Sequence, residues 1–141
     1  MCIRKATHND FSVIRTLTVQ LTQRAATALQ PKHFRVLYQE ANVRLLVNEG
    51  THTVCAFMAL RFIPALDSCI RYLVIVHLAL DKQALKQGIA AELEAHAANI
   101  ASLLECNGLL VQADKLPAPA ARFYRERGYK MESGTLIKKL A

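Results

Sequence analysis

Tryptophan is absent from this sequence, and only 6% of its 141 residues are aromatic. Glycine and proline are also scarce, with five and four residues, which excludes collagen-like and proline-rich disordered chains. Cys2, Cys55, Cys69 and Cys106 are widely spaced and include no C-x-x-C pair, so we predict free thiols rather than zinc ligands or disulfides. The composition is 52% hydrophobic and 21% charged, which is apolar enough to predict a folded core.

Long hydrophobic runs are missing as well. The longest apolar run, residues 73–80, is far shorter than the ~20 residues that span a bilayer. Arg4, Lys5 and Asp10 interrupt the apolar stretch that a signal peptide would need near the start of the chain. The length is close to that of one ordinary domain, so we expect a single domain over residues 1–141, cytoplasmic and without a membrane partner.

Acidic residues are too few to balance the basic ones. Eighteen Lys and Arg face eleven Asp and Glu, giving a net charge of +7, and residues 115–141 supply five of these seven charges. An excess of this kind indicates either a solvated basic face or an anionic partner such as nucleic acid, a membrane surface or a phosphorylated ligand. The sequence has no RNP, zinc-finger or helix-turn-helix pattern and offers few aromatic rings for base stacking, so we expect no nucleic-acid partner.

Periodicity along the chain predicts the element order β-α-α-β-β-β-α-β-α-β-β. Two helices follow a short strand at residues 2–6, and residues 43–48, 51–63 and 69–80 then form three strands, the last one central and buried on both faces. The segment 88–105 has the clearest helical spacing, with Asn107 and Gly108 as its left-handed stop. A strand at 109–113, a helix at 117–127 and a terminal antiparallel pair complete an α/β (α+β) fold with a mixed, mostly antiparallel sheet.

The start of the helix at Gly88 is the first candidate for chemistry. Its unpaired backbone N–H groups form a positive helix end that suits a pyrophosphate, and Gly88, Ala90 and Ala91 keep the surface small there. The same small residues also fit close packing of the helix on the sheet. A P-loop is excluded because the G-x-x-x-x-G-K-[ST] motif is absent.

A second segment, residues 121–129, reads A-R-F-Y-R-E-R-G-Y and places Phe123 and Tyr124 on one helix. Together with the Q-G-I-A turn at 87–90, it resembles the GNAT N-acetyltransferase family. The turn is similar to the second part of the family's [RQ]-x-x-G-x-[GA] loop, and the second segment is similar to its A-x-x-F-Y-x-x-x-G-[FY] helix. The R-F-Y-x-x-x-G-Y ending of this segment, at residues 122–129, is most similar to the aminoalkylphosphonate acetyltransferase branch.

This resemblance implies a sheet of about seven strands that is splayed at a cofactor cleft, with helices on both faces. It also implies acetyl-CoA as co-substrate and the primary amine of a small molecule as acceptor, with Tyr124 as the residue that protonates the departing thiolate. The cofactor would contact main-chain groups of the central strand, amides at the helix start and side chains nearby, at Leu78, Ala79, Leu80, Lys86, Gln87, Gly88, Ile89, Ala90, Ala91, Asp114 and Phe123. No metal is implied.

Two departures from the family pattern leave alternatives open. Leu85 stands where the motif has Arg or Gln, and the strand before it has His77 in place of the Glu that often acts as base. With an ordinary pKa near 6.5, His77 could be the base, or it could be an ordinary histidine of the sheet. A catalytically weak acyl-CoA-binding module and a protein or peptide acetyltransferase remain alternative functions. A homodimer through an edge at residues 135–140 is also open, although Lys138 and Lys139 oppose edge pairing.

Overall fold

A computed structural model describes residues 2–22, 31–50, 53–64, 71–81, 88–113 and 116–140. Within these ranges it contains seven strands and four α-helices in the predicted order, with a short 3₁₀ helix at His8–Asp10 before the first α-helix. The strands are β1 (Cys2–Lys5), β2 (Val43–Glu49), β3 (Val54–Pro64), β4 (Arg71–Leu80), β5 (Gly108–Gln112), β6 (Lys130–Glu132) and β7 (Thr135–Lys139). The helices are α1 (Phe11–Thr22), α2 (Pro31–Gln39), α3 (Ile89–Leu103) and α4 (Ala118–Glu126). No helix in the described ranges is long and apolar enough to cross a membrane.

The strands form one sheet in the order β1-β2-β3-β4-β5-β7-β6. β4 and β5 are parallel, and every other neighbouring pair is antiparallel, which confirms the predicted mixed sheet. Because β7 lies between β5 and β6, the expectation that residues 135–140 form an edge was wrong. The three-residue strand β6 occupies that edge instead.

Each face of the sheet buries its own hydrophobic cluster. α1 and α2 cover one face, where Ile14, Leu17 and Phe34 pack with side chains of β2, β3 and β4. α3 and α4 cover the other, where Leu93 and Tyr124 belong to the larger cluster. Successive side chains of a strand point to opposite faces of the sheet, so the strands contribute to both clusters. In β2, Leu45 and Val47 belong to the cluster under α1 and α2, and Leu46 belongs to the other.

β4 changes its alternation halfway along. Leu73 and Ile75 belong to the cluster under α3 and α4, but Ala79 belongs to the one under α1 and α2. The register explains the change, because Ala59 of β3 pairs with His77 and the next residue of β3 pairs with Ile75, so Val76 is an extra residue. Val76 and His77 are exposed at this bulge, so the prediction that β4 is buried on both faces was wrong there.

The first strand is tied to the first helix by a buried carboxylate. Asp10 is 6% exposed and accepts hydrogen bonds from two nitrogens of Arg4, at 2.8 and 3.0 Å. The backbone N–H of Thr7 donates to the same carboxylate at 2.7 Å. These bonds hold the pKa of Asp10 below its ordinary value, chiefly through Arg4, and they lock the turn that leads from β1 into α1.

The C-terminal end of α3 differs from the expected stop. Glu105, with φ of 57°, is the left-handed residue, and Gly108 already belongs to β5. Asn107 instead joins the two parallel strands, since its side-chain oxygen accepts the backbone N–H of Arg71 at 2.8 Å. Gly108 is required by close approach, because a Cβ there would lie 2.7 Å from the carbonyl oxygen of Lys138 in β7.

This contact predicts that Gly108→Ala destabilises the protein. The added Cβ meets backbone rather than a flexible side chain, so β5 and β7 must move apart, and we expect a loss of about 2–4 kcal/mol in the free energy of unfolding. Gly50→Ala is the matched control, because its Cβ would lie 3.4 Å from the nearest atom, the Thr53 oxygen. Urea denaturation of both variants measures the difference, and equal stability would contradict the packing constraint at Gly108.

Candidate active site

A cleft opens in the sheet where β4 and β5 part. Their parallel pairing covers residues 72–74 and 108–110 and ends at the pair Val74 and Leu110. Beyond it β4 continues to Leu80 along β3, whereas β5 continues to Gln112 along β7. Among the described residues, no strand pairs with this side of the second half of β4, so a splayed sheet is confirmed.

The pairing with β3 shows which main-chain groups of β4 face this cleft. The N–H of Asp81 donates to the carbonyl of Cys55 at 3.0 Å, toward β3. Because main-chain groups of alternate residues point to opposite sides of a strand, Ala79 also directs its groups to β3. Leu78 and Leu80 direct theirs into the cleft and can bind an extended ligand as an added strand would.

The helix that follows β4 begins beside the end of this strand. Ile89, the first residue of α3, is buried in the same cluster as Ala56 of β3, and Leu80 of β4 packs against that cluster, so the first turn of α3 lies close to the ends of β3 and β4. Gly88 precedes the helix with φ of 72°, in the left-handed region. The amides of Ile89, Ala90 and Ala91 lie in the first turn, where backbone N–H groups lack intrahelical partners and attract anions.

Three of the predicted cofactor contacts, Lys86, Gln87 and Asp114, lie outside the described residues, as does Leu85. Phe123 is described and is half-buried on α4. Its ring meets the ring of Tyr124 edge to face, with the centroids 5.1 Å apart.

Tyr124 is the buried phenol of α4. Its residue is 3% exposed, and its ring contacts the ring of Tyr129 at 5.2 Å between centroids. Burial raises the pKa of Tyr124 well above its ordinary value, and the charge of Glu94 raises it further. The hydroxyl therefore stays protonated across the physiological range, which is the form that can donate a proton.

His77 lies on the opposite face of the sheet from Tyr124. It pairs with Ala59, a member of the cluster under α1 and α2, and it stays exposed beside the bulge. The protein around the partly exposed imidazole removes some of its hydration and so lowers the pKa of His77 below its ordinary value, which favours the neutral form. A neutral imidazole can accept a proton, so the structure places such an imidazole on one face of the sheet and a protonated phenol on the other.

A buried carboxylate on the inner face of α3 was not predicted from the sequence. Glu94 is fully buried and accepts hydrogen bonds from Arg127, Tyr129 and Lys138. Its signal was a single acidic residue on the apolar side of the best-defined helix, next to Leu93. Nothing in the sequence linked it to three residues more than thirty positions away.

The basic C-terminal region contributes a shallow cavity on α4. Arg122 and Arg125 are exposed and line it with Ala118, Ala121 and Glu126, around a volume of about 550 Å³. Within the described part of the chain, no group of three or more His, Cys, Asp or Glu side chains is arranged to hold a metal.

Comparison with known proteins gives one family and many similar folds. The sequence model of the acetyltransferase (GNAT) family matches residues 13–129 of this chain. No curated protein sequence matches.

Several solved structures superpose over nearly the whole chain. The tetramutant of the BH1408 protein from Bacillus halodurans has a TM-score of 0.86 and 19% identity, over 94% of this chain and 96% of that chain. An aminoglycoside acetyltransferase from an uncultured soil metagenomic sample, in complex with sisomicin, has a TM-score of 0.79 and 19% identity, over 94% of this chain and 90% of that chain. A ribosomal-protein-alanine N-acetyltransferase from Brucella melitensis biovar Abortus 2308 has a TM-score of 0.77 and 17% identity, over 94% of this chain and 94% of that chain. Such identities show the fold, and the aminoalkylphosphonate branch is not confirmed.

The environment of His77 predicts a measurable pH dependence. Because its pKa is lowered in the folded state, the unfolded chain binds a proton more readily, and stability falls as the pH drops through the unfolded value of about 6.5. NMR titration of the imidazole should give a midpoint below that value. His77→Gln should reduce the loss of stability between about pH 7 and about pH 5, and an unshifted midpoint would contradict the desolvated environment.

Proposed function

Because the chain belongs to the acetyltransferase (GNAT) family, we propose that it is an N-acetyltransferase that uses acetyl-CoA and acts on the primary amine of a small molecule. The observation that carries the proposal is the cleft between β4 and β5, with the N-terminus of α3 at its end. A cleft with free main-chain groups beside an anion-binding helix start fits an extended ligand that carries phosphates.

The residues present fit acetyl-CoA. Main-chain groups of Leu78 and Leu80 would pair with the amides of the pantetheine arm, and the amides of Ile89, Ala90 and Ala91 would hold the pyrophosphate. No side chain at Gly88 obstructs this approach. The bound thioester supplies an activated acetyl group.

The other steps belong to residues of this chain. His77, neutral at physiological pH because of its lowered pKa, accepts the proton of the amine directly or through water. The N–H of Leu80 faces the cleft and donates to the carbonyl oxygen as negative charge develops there. Tyr124, a phenol held in its protonated form, gives its proton to the departing thiolate.

The acceptor side favours a small amine that is not a polycation. His77 shares its face of the sheet with the side chains of Arg61, Ile63 and Tyr72, of which Arg61 and Ile63 are exposed and Tyr72 is half-buried. Neither strand contains an Asp or Glu, so neither offers a carboxylate to pair with several ammonium groups. This argues against a polycationic acceptor such as an aminoglycoside, and it leaves the amino group of a peptide as an alternative acceptor.

Acetyl-CoA binding and turnover, measured separately, test the proposed function. Isothermal titration with acetyl-CoA should show one site, and a thiol-release assay over a panel of small amines, an aminoglycoside and an N-terminal peptide should show turnover with the small amines. Binding without turnover on any acceptor would indicate the acyl-CoA-binding module instead. Turnover with the peptide alone would indicate a protein acetyltransferase.

Tyr124→Phe should lower kcat by about 10²-fold, the size of effect expected when a positioned proton donor is lost. The variant keeps the buried ring and its contacts with Phe123 and Tyr129, so acetyl-CoA binding should be preserved. Calorimetry and initial rates on the same preparation separate the two effects. An unaltered kcat would remove Tyr124 from the mechanism.

Charge reversal on α4 tests whether the basic cavity contributes to cofactor binding. Arg122→Glu or Arg125→Glu should weaken acetyl-CoA binding about 10-fold at low salt, and less at high salt, because exposed charges are screened. Lys130→Glu is the matched control, since it changes the net charge equally at the exposed edge strand β6. If all three variants bind alike, the arginines belong to an ordinary solvated face.

A further inference from the structure

One buried charge takes no part in the proposed reaction. The Glu94 side chain has no solvent exposure, and its two oxygens accept four hydrogen bonds. Oε2 accepts hydrogen bonds from Nε and Nη2 of Arg127, each at 3.1 Å. Oε1 accepts hydrogen bonds from the Tyr129 hydroxyl at 3.2 Å and from Nζ of Lys138 at 2.8 Å. A carboxylate this fully satisfied has a defined position.

Two of these partners also hold Tyr124. The backbone N–H groups of Arg127 and Tyr129 donate to the carbonyl oxygen of Tyr124, at 3.0 and 3.1 Å. Each of the two residues therefore binds Tyr124 through its main chain and Glu94 through its side chain. The packed rings of Tyr124 and Tyr129 add a third connection.

We propose that Glu94 is a positioning residue, which sets the place of the Tyr124 hydroxyl relative to the N-terminus of α3. This inference rests on the proposed function, in which α3 holds the pyrophosphate and Tyr124 protonates the thiolate. Glu94 lies in the second turn of α3, so one carboxylate joins the helix that binds the donor to the helix that carries the acid.

Stability alone is a poor explanation for this arrangement. A buried ion pair returns little net stability compared with apolar residues of similar volume, because both charges lose their hydration. What it does provide is a fixed geometry, since three donors from the end of α4, the start of β6 and β7 converge on one point. A shift of about 1 Å in the acid would cost a large part of its catalytic effect.

The network also keeps Tyr124 in its protonated form. The Tyr129 phenol packs against the Tyr124 ring and donates to Glu94, whose other partners are Arg127 at the end of α4 and Lys138 on β7. Burial and then the charge of Glu94 raise the pKa of Tyr124. Neutralising the carboxylate removes the negative charge that disfavours the phenolate, so the pKa of Tyr124 should fall.

Glu94→Gln tests the proposal, because it keeps the shape of the side chain and removes its charge. We expect kcat to fall about 10-fold, with the KM for acetyl-CoA within about 3-fold of the wild-type value. Any decline of kcat at alkaline pH should begin at a lower pH in Glu94→Gln than in the wild type. Ultraviolet titration of tyrosinate, with Tyr124→Phe in each background to isolate the signal, should show Tyr124 ionising at lower pH in Glu94→Gln.

Asp10→Asn is the matched control. It removes the charge of another buried carboxylate, one paired with Arg4 far along the sheet from Tyr124. It should reduce stability without moving the pH profile or the ionisation of Tyr124. Arg127→Lys is a second, milder variant that keeps the positive charge and should change kcat in the same direction as Glu94→Gln.

The outcomes separate this inference from the proposed function. If the wild type turns over acetyl-CoA and both Glu94→Gln and Arg127→Lys keep its kcat and pH profile, Glu94 is structural and the inference is overturned. If the wild type turns over no acceptor, the proposed function fails. The inference then falls with it, because no thiolate forms for Tyr124 to protonate. The two failures stay distinguishable, since the first leaves wild-type turnover intact and the second does not.

Discussion

Parallel pairing between β4 and β5 stops after a few residues, and the candidate site depends on that limit. Each strand is held along its length by its other neighbour, β4 by β3 and β5 by β7. Gly108 draws β5 so close to β7 that even a Cβ would collide with the backbone of Lys138. Since the right-handed twist of a sheet separates strands that are no longer bonded, the second half of β4 keeps main-chain groups that no other strand of the described ranges binds.

The cleft therefore lies between two differently built faces. The bulge at Val76 exposes His77 on the side of α1 and α2, while Tyr124 is buried on the side of α3 and α4. In the proposed reaction, the amine and the thiolate need opposite proton transfers, and they meet groups with opposite properties. Desolvation contributes to both, because it favours the neutral form of an imidazole and of a phenol alike.

Two buried carboxylates show how local and distant ion pairs differ in this fold. Asp10 bonds Arg4 and Thr7, its close neighbours in sequence, and so fixes a turn. Glu94 bonds residues 33 to 44 positions away, and so fixes how the C-terminal helix and strands sit against α3. The basic C-terminal region thus has more than one use, since Arg127 and Lys138 are part of this internal network rather than of a solvated surface.

Much of the fold could be predicted because local patterns carried it. Helical spacing, strand alternation and the glycine after α4 predicted the order of elements, and the crossover through α3 predicted the one parallel pair. The left-handed stop of α3 could not be predicted from the glycine, because Gly108 is required by its close contact with β7 and not by a positive φ. Glu105 takes the positive φ instead. Likewise, the expectation that residues 135–140 form an edge of the sheet was wrong, because the order of strands depends on pairing between segments that are distant in the sequence.

By itself the sequence determined the chemistry that each segment can offer: amides at a helix start, a phenol on α4, an imidazole in β4. These follow from residue type and local periodicity. Only the tertiary structure decided which main-chain groups of β4 face the cleft, on which side His77 lies, and that Glu94 meets Arg127, Tyr129 and Lys138. Register, bulges and long-range ion pairs depend on where distant segments lie in space, which no local pattern records.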